Sequence, residues 1–296
     1  MKKVNVGIIG TGNIGCDLLF KILKSEHLNC SLFMGRHKDS KGMLMAKEMG
    51  INTSDRSIEA LVENPNICDI VFDATTAAAH FEHAKILKKL GKYTIDLTPS
   101  LVGKMCVPCV NAEECLNETN INMVTCGGQA TIPLVHAISS VQKGIRYVEI
   151  VASIASKSAG PGTRANIDEF TQTTKKALTQ FSGIKNAKAI IILNPANPPI
   201  MMNNTIHMIL DHADMDLINN TVKNVISELK QYIPGYELLV EPVYRNNILT
   251  MSVQVEGSGD YLEKYSGNLD IITCASVKMA EMYALRRVNN ERIITV

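Results

Sequence analysis

A glycine-rich hexapeptide near the N-terminus has the residue types and spacing of a phosphate-binding loop. It follows an apolar run, Val4–Ile9, and matches the pattern G-x-G-x-x-G with Gly10, Thr11, Gly12, Asn13, Ile14 and Gly15. In such a loop the first glycine permits a tight turn, the second lets the backbone approach a pyrophosphate, and the third lets helix and strand pack closely. The motif therefore predicts that these six residues bind NAD. The alternative is a turn whose glycines serve packing alone.

The end of the second predicted strand lacks the acidic residue that usually binds the ribose of NAD. The sequence there reads Met34, Gly35, Arg36, His37, Lys38. Arg36 and Lys38 can instead accept a 2′-phosphate, which makes NADP a possible cofactor. The alternative is that both are solvated surface cations.

Cys126 has the sequence context of a reactive thiol. It follows an apolar run at residues 121–125, which predicts a strand, and it precedes two glycines and a helical pattern. Because proline favours the first turn of a helix, Pro133 predicts a helix that begins near Thr131, with Cys126 in the preceding turn. The positive end of the helix dipole is expected to lower the pKa of the thiol and to raise its thiolate fraction.

The residues after Cys126 are suited to stabilising negative charge. The N–H of Gly127 and its neighbours can stabilise the alkoxide that forms when a thiolate attacks an aldehyde, and Gln129 can supply a side-chain donor. The sequence thus predicts Cys126 as a nucleophile. It assigns no general base. His80 and His83 lie on the helix predicted after residues 73–76, near the expected position of the nicotinamide, and are secondary candidates for a catalytic role.

A second glycine-rich segment, residues 156–166, joins a predicted strand to a predicted helix. Glycines at 160 and 162 suggest close approach by a ligand, and Lys157 and Arg164 suggest that the ligand is anionic. The alternative is a well-capped helix start.

Composition narrows the class of protein. With 296 residues and a net charge of +1, the chain lacks the basic excess that sequence-nonspecific nucleic-acid binding requires. Eight cysteines in this length fall far below the density of a disulfide scaffold, and one CxxC without a second pair predicts no metal site. We therefore expect a reduced cytoplasmic enzyme without a membrane span.

The order of elements predicts an α/β fold with two domains. Up to about residue 125, apolar strands alternate with helices, which indicates a Rossmann-type parallel sheet covered on both faces. Beyond Pro133 the pattern is that of an α+β domain, and the last helix is expected to return to the first domain. The predicted division is residues 1–130 plus 270–296 for dinucleotide binding and residues 131–269 for catalysis and dimerisation.

Three sequence blocks closely resemble the acylating acetaldehyde dehydrogenases of bacterial meta-cleavage pathways. They are residues 122–133, 150–170 and 265–271, and the resemblance runs from Val4 to at least Ile271. It implies that Cys126 carries the acyl group and that the protein oxidises acetaldehyde or a similar short aldehyde with NAD+ and coenzyme A as co-substrate. It also implies a homodimer within a hetero-oligomer with a 4-hydroxy-2-oxovalerate aldolase.

The same resemblance extends the dinucleotide site into the second domain. The implied contacts, besides residues 11–14, are Ser158, Ala159, Gly160, Pro161, Gly162, Thr163, Arg164, Ala165, Asn166 and Asn268.

The sequence departs from the family pattern at two further places. A carboxylate proposed to handle the coenzyme A thiol appears here as Asn204, for which His207 is a candidate substitute, and the hairpin at residues 244–248 is shorter than usual. Two rival functions remain open. One is a phosphorylating semialdehyde dehydrogenase, and the other is a dinucleotide-sensing redox regulator in which Cys126 is oxidised.

Overall fold

The computed structural model describes residues 3–160, 163–164 and 167–294, with side chains described up to residue 288. The chain forms two compact units, Met1–Met123 with Thr273–Val296, and Val124–Ile272. The first junction lies after Met123, whereas the sequence placed it after residue 130. The junction lies earlier because one continuous helix, Cys126–Val141, belongs entirely to the second unit.

The first unit is built on a parallel sheet of seven strands in the order β3-β2-β1-β4-β5-β7-β6. The strands are β1 (Val4–Ile9), β2 (Leu28–Met34), β3 (Thr53–Ser54), β4 (Ile70–Asp73), β5 (Tyr93–Asp96), β6 (Lys104–Met105) and β7 (Asn120–Asn122). The helices of this unit are α1 (Asn13–Lys24), α2 (Lys41–Glu48), α3 (Glu59–Glu63), α4 (Ala77–Lys89) and α5 (Pro108–Cys115). All four residues of β4 and of β5 are buried, as expected when helices cover both faces of a parallel sheet. The predicted Rossmann-type architecture is confirmed.

The second unit contains a five-stranded mixed sheet in the order β11-β12-β10-β8-β9. Its strands are β8 (Ile145–Ala155), β9 (Ala187–Asn194), β10 (Met202–Leu210), β11 (Tyr236–Arg245) and β12 (Ile248–Val255). Its helices are α6 (Cys126–Val141), α7 (Ile167–Ser182) and α8 (Met215–Leu229), and a last helix, α9 (Gly267–Ile294), begins here. Buried and half-buried residues alternate along β8 and β10, so helices of this unit cover one face of the sheet.

The part of α9 from Thr273 onward belongs to the first unit. The Thr273 hydroxyl donates a hydrogen bond to the buried Asp17 carboxylate on α1. Tyr283 stacks on Tyr93 of β5 with ring centroids 4.0 Å apart. None of the helices in the described residues combines the length and the apolar character needed to cross a membrane.

The glycine loop between β1 and α1 is shaped by very close backbone contacts. Gly10 has a positive φ of 113°, and a Cβ at Gly15 would lie 1.9 Å from the Gly10 carbonyl oxygen. A Cβ at Gly12, in contrast, would meet no atom within 4 Å. Gly10 and Gly15 are therefore required by the fold, and Gly12 is not.

This contrast gives a matched pair of substitutions. We expect Gly15→Ala to lower the free energy of unfolding by about 3 kcal/mol or more, because the added methyl overlaps backbone. Gly12→Ala should change it by less than about 0.5 kcal/mol and yet weaken dinucleotide binding, since its methyl would enter open space at the predicted phosphate site. Thermal unfolding of the ligand-free variants and NADH titration measure the two effects. A Gly12→Ala variant with native NADH affinity would contradict the phosphate role of the loop.

Candidate active site

A cavity of about 310 Å³ opens in the first unit at the carboxyl ends of β1, β2 and β4. Gly10, Thr11 and Gly12 line it beside β1, and Arg36 and His37 line it beside β2. The strand order turns in opposite directions on either side of β1, and this is where open α/β sheets bind ligands. The structure thus brings the predicted glycine loop to the expected edge of the sheet.

The residues of this cavity fit a dinucleotide. Gly12 is the N-cap of α1 and provides no side-chain cap, so the N–H groups of Asn13 and Ile14 remain for phosphate oxygens. Gly15 is buried beneath the loop, where it holds α1 against β1. The space above Gly12 is open, as close approach of a pyrophosphate requires.

The β2 edge of the cavity carries basic side chains. Arg36 and His37 line it, whereas Lys38 does not, and the described residues that line the cavity include no Asp or Glu. Of the two cations that the sequence proposed for a 2′-phosphate, only Arg36 is placed to contact a ligand in this cavity.

A buried carboxylate, Asp73, organises the β4 edge. Its Oδ2 accepts hydrogen bonds from Nδ1 of His80 and from Nδ1 of His83, each 2.8 Å long, and its Oδ1 accepts from the Thr75 backbone and hydroxyl. Burial alone would raise the pKa of Asp73, but the hydrogen bonds from the two histidines outweigh it and leave the pKa well below its usual value. The sequence places both histidines shortly after this aspartate, but it does not show that one carboxylate oxygen binds both rings.

His80 is a structural ion-pair partner in this arrangement. It is fully buried, and its Nε2 lies 3.5 Å from Asp96 and 3.1 Å from the Asn120 amide. Burial lowers the pKa of His80, but the hydrogen bond to Asp73 and the charges of Asp96 and Asp73 outweigh it and raise the pKa above its usual value. A ring so enclosed is poorly placed to serve as a general base.

Cys126 is the first residue of helix α6, which starts earlier than the sequence predicts. The Thr125 hydroxyl caps the helix by accepting a 3.0 Å hydrogen bond from the Gly128 N–H, and Pro133 lies inside the helix instead of in its first turn. The preceding strand ends at Asn122, and Val124 has a positive φ of 59°. A capping threonine thus outweighs the preference of proline for a first turn.

The cap is itself fixed by helix α7. The Thr174 hydroxyl donates to the Phe170 carbonyl at 2.7 Å, so its 2.7 Å contact with Thr125 is donated by Thr125. The first turn of α6 also packs closely: a Cβ on Gly127 would lie 3.0 Å from Phe170 and 3.4 Å from Ala152. Helix α7 and strand β8 therefore determine where Cys126 sits.

The predicted lowering of the Cys126 pKa is wrong for the ligand-free protein. Burial raises the pKa of the thiol to about 12, although hydrogen bonds from the N–H groups of Gly127 and of Cys126 itself lower it in part. The N–H groups of Gly128 and Gln129 are already bonded to Thr125. Loss of hydration destabilises the thiolate by more than the N-terminus of the helix stabilises it, so the pKa rises.

This pKa can be tested by alkylation. We expect the rate of iodoacetamide labelling at Cys126 to rise about tenfold per pH unit from pH 7 to pH 10 without a plateau, because only the thiolate reacts. Peptide mass spectrometry at timed intervals measures it, with the partly exposed Cys109 as an internal comparison. A plateau near neutral pH would instead support the thiolate that the sequence predicted.

Asn204 lies beside the start of α6, on the helix-covered face of β10. It is fully buried and pairs with Ala152, the residue that approaches Gly127. Among the described residues, neither its amide nitrogen nor its amide oxygen has a hydrogen-bond partner. His207 is three residues along the strand and so points to the opposite face, where its Nδ1 lies 2.9 Å from the Thr250 hydroxyl. His207 therefore cannot take the place of Asn204.

The remaining predicted cofactor contacts belong to the second unit. Ser158 and Ala159 are buried, and Gly160 is half-buried. The Arg164 side chain donates to the Ala159 carbonyl and to Ser156, so it braces its own loop. Asn268 is 2% exposed, and its Oδ1 has no partner in the part of the chain that the structure describes. Thr163 is helical and half-buried, whereas Pro161, Gly162, Ala165 and Asn166 lie outside the described residues.

Family models and relatives match nearly the whole chain. Residues 5–119 match the semialdehyde dehydrogenase NAD binding domain, and residues 126–263 match the dimerisation domain of prokaryotic acetaldehyde dehydrogenase. A protein named acetaldehyde dehydrogenase from Pectobacterium atrosepticum is 52% identical over 288 residues, which is 97% of each chain. Another from Geobacillus stearothermophilus is 51% identical, covering 96% of this chain and 97% of its own.

A solved structure gives independent support for the fold. Aspartate semialdehyde dehydrogenase II from Vibrio cholerae matches with a TM-score of 0.65 over 96% of this chain and 99% of its own, at 13% identity. Identity this low shows a shared fold alone. The relatives of about 50% identity show more, and they confirm the resemblance that the three sequence blocks carry: the chain belongs to the acetaldehyde dehydrogenase family.

Proposed function

We propose that the protein is an acylating acetaldehyde dehydrogenase, which converts acetaldehyde or a similar short aldehyde, NAD+ and coenzyme A to acyl-coenzyme A, NADH and a proton. The observation that carries the proposal is the thiol of Cys126 at the capped start of α6, in a chain of this family. NAD binding is supported by the match of the first unit to an NAD-binding domain and by the cavity at the glycine loop.

The chemistry starts on the sulfur of Cys126. The thiolate attacks the carbonyl carbon, a C–S bond forms, and the carbonyl oxygen becomes an alkoxide, which the N–H groups of Cys126 and Gly127 can stabilise. Bound NAD+ supplies the acceptor for the hydride that leaves this carbon, and it adds a positive charge that favours the thiolate. The alkoxide then collapses to a thioester on Cys126. The thiol of coenzyme A takes the acyl group, and Cys126 regains its proton.

We assign two buried amides to ligand contacts in the second unit. Asn268 is proposed to bind the dinucleotide together with Ser158, Ala159, Gly160, Pro161, Gly162, Thr163, Arg164, Ala165 and Asn166. Asn204 is proposed to contact the reacting acyl group or the incoming thiol as a neutral hydrogen-bonding group. Buried amide atoms without partners are costly, and a bound ligand that satisfies them would explain why they persist.

The family implies further partners, which we propose for this chain. The matched dimerisation domain supports a homodimer, and the half-buried, mixed polar and apolar face of β8 and β10 is the surface we assign to it. A 4-hydroxy-2-oxovalerate aldolase is the proposed source of the aldehyde. Eight cysteines in 296 residues are far fewer than a disulfide scaffold uses, and we propose a reducing, cytoplasmic location.

The acyl-enzyme can be observed directly. Protein mixed with acetaldehyde and NAD+, without coenzyme A, should gain one acetyl group on Cys126, and Cys126→Ser should gain none. Peptide mass spectrometry measures the adduct, and Cys109→Ala is the matched control for a second partly exposed thiol.

The identity of the acyl acceptor can be tested in the same mixture. Addition of coenzyme A should release the acetyl group and restore NADH formation, whereas phosphate should not. Release by phosphate alone would identify the phosphorylating rival, and NADH formation without any Cys126 adduct would contradict the covalent mechanism.

Cofactor preference should depend on Arg36. Arg36 lines the cavity at the β2 edge, and none of the described residues that line this cavity is Asp or Glu. We therefore expect NADP to be accepted beside NAD. Arg36→Asp should raise the KM for NADP by about tenfold or more while leaving the KM for NAD within about threefold, since a carboxylate repels a 2′-phosphate and bonds a 2′-hydroxyl. Lys38→Ala is the control, because Lys38 does not line the cavity. An unchanged ratio of the two KM values in Arg36→Asp would refute the assignment.

A further inference from the structure

His83 is part of the wall of the dinucleotide cavity. It lies on α4 and lines the cavity together with Thr76, Ala79 and the glycine-loop residues Gly10 and Thr11. The residue is 9% exposed, so little of the ring is open to solvent other than through the cavity. A polar group on this ring is therefore close to whatever the cavity holds.

Asp73 determines which nitrogen of His83 faces a ligand. The carboxylate of Asp73 is ionised and can only accept, so the Nδ1 atoms of His80 and His83, each 2.8 Å from Oδ2, must both be donors. Nδ1 of His83 is thereby committed to Asp73. Nε2 is the remaining polar atom of the ring, and none of the described residues forms a hydrogen bond with it.

The neighbouring histidine shows the contrast. His80 binds the same carboxylate oxygen, but its Nε2 is occupied inside the protein by Asn120 and Asp96, and it does not line the cavity. The two rings on Asp73 therefore have different surroundings. His80 closes a buried hydrogen-bonded cluster, whereas His83 lines the cavity and its Nε2 has no hydrogen-bond partner among the described residues.

We propose that His83 is a cofactor-binding residue whose Nε2 hydrogen-bonds the adenosine diphosphate half of the dinucleotide, an inference that rests on the proposed dinucleotide site. The half is assigned by the neighbours of His83. The glycine loop is where a pyrophosphate lies on such sheets, and the end of β2 is where the adenosine ribose lies. Both border the same cavity as His83. The neutral ring accepts a hydrogen bond from the base or ribose, and the protonated ring donates one to a phosphate oxygen.

The test compares cofactor fragments on the intact protein. We expect His83→Ala to raise the dissociation constants of NAD+, ADP-ribose and ADP by about tenfold, because one hydrogen bond to the bound ligand is lost. Nicotinamide mononucleotide should bind as it does to the wild type. His83→Gln, which keeps a polar group at similar reach, should recover most of the ADP affinity. Isothermal titration measures each dissociation constant, and His27→Gln, a histidine outside the cavity, is the control.

Comparison of ADP with AMP locates the contact. If His83→Ala loses affinity for both ADP and AMP, the contact lies on the adenosine part or its first phosphate. If it loses affinity for ADP alone, the contact lies on the second phosphate. Both results support the proposal. Native ADP affinity in His83→Ala, or an equal loss of ADP and nicotinamide mononucleotide in both His83 variants, would overturn it.

The wild-type titration separates this inference from the function it rests on. Wild-type protein that binds neither NAD+ nor ADP would overturn the dinucleotide site and this inference with it. Wild-type binding with native affinity in His83→Ala would overturn the role of His83 alone.

Discussion

The hydrogen bond from the Gly128 N–H to the Thr125 hydroxyl determines where helix α6 begins, and the position of the candidate nucleophile depends on it. With Thr125 as N-cap, Cys126 becomes the first helical residue, and its sulfur accepts hydrogen bonds from the N–H groups of Cys126 and Gly127. Thr174 accepts from the same threonine, so the cap is tied to helix α7. The position at which α6 begins thus determines both where the Cys126 thiol lies and which backbone N–H groups are near it.

The same site shows how desolvation and helix polarity compete. Charge at a helix N-terminus is stabilised by about 0.3–1 kcal/mol in exposed settings, whereas full burial shifts a pKa by several units. At Cys126 burial is the larger effect, and the resting thiol is protonated at neutral pH. In the proposed reaction, a thiol held in this way ionises only when ligands supply compensating charge, which protects it from unproductive alkylation or oxidation.

Polar side chains at the carboxyl edge of the first sheet form a second organised region. Asp73 and Asp96 end neighbouring strands, β4 and β5, and the ring of His80 lies between them, with Nδ1 2.8 Å from Asp73 and Nε2 3.5 Å from Asp96. Burial raises the pKa of Asp96, although His80 and hydrogen bonds from Ser100, Thr98 and Asn122 lower it in part. A buried polar cluster of this kind is costly unless all its members are present. This arrangement holds the start of α4 beside the cavity at the glycine loop, where His83 forms part of the wall.

The sequence alone determined the fold class, the glycine loop and the family, because each depends on local spacing: the period of apolar residues, the G-x-G-x-x-G pattern and three nearly unbroken blocks. It identified Cys126 but misplaced the start of its helix, since the preference of Pro133 is local and the cap by Thr125 is stabilised by a helix some fifty residues later in the chain. Only the tertiary structure decided the protonation of that thiol, the opposite faces of Asn204 and His207, and the shared carboxylate of His80 and His83. Burial, strand register and contacts between distant segments set those properties, and none of them has a signature in neighbouring residues.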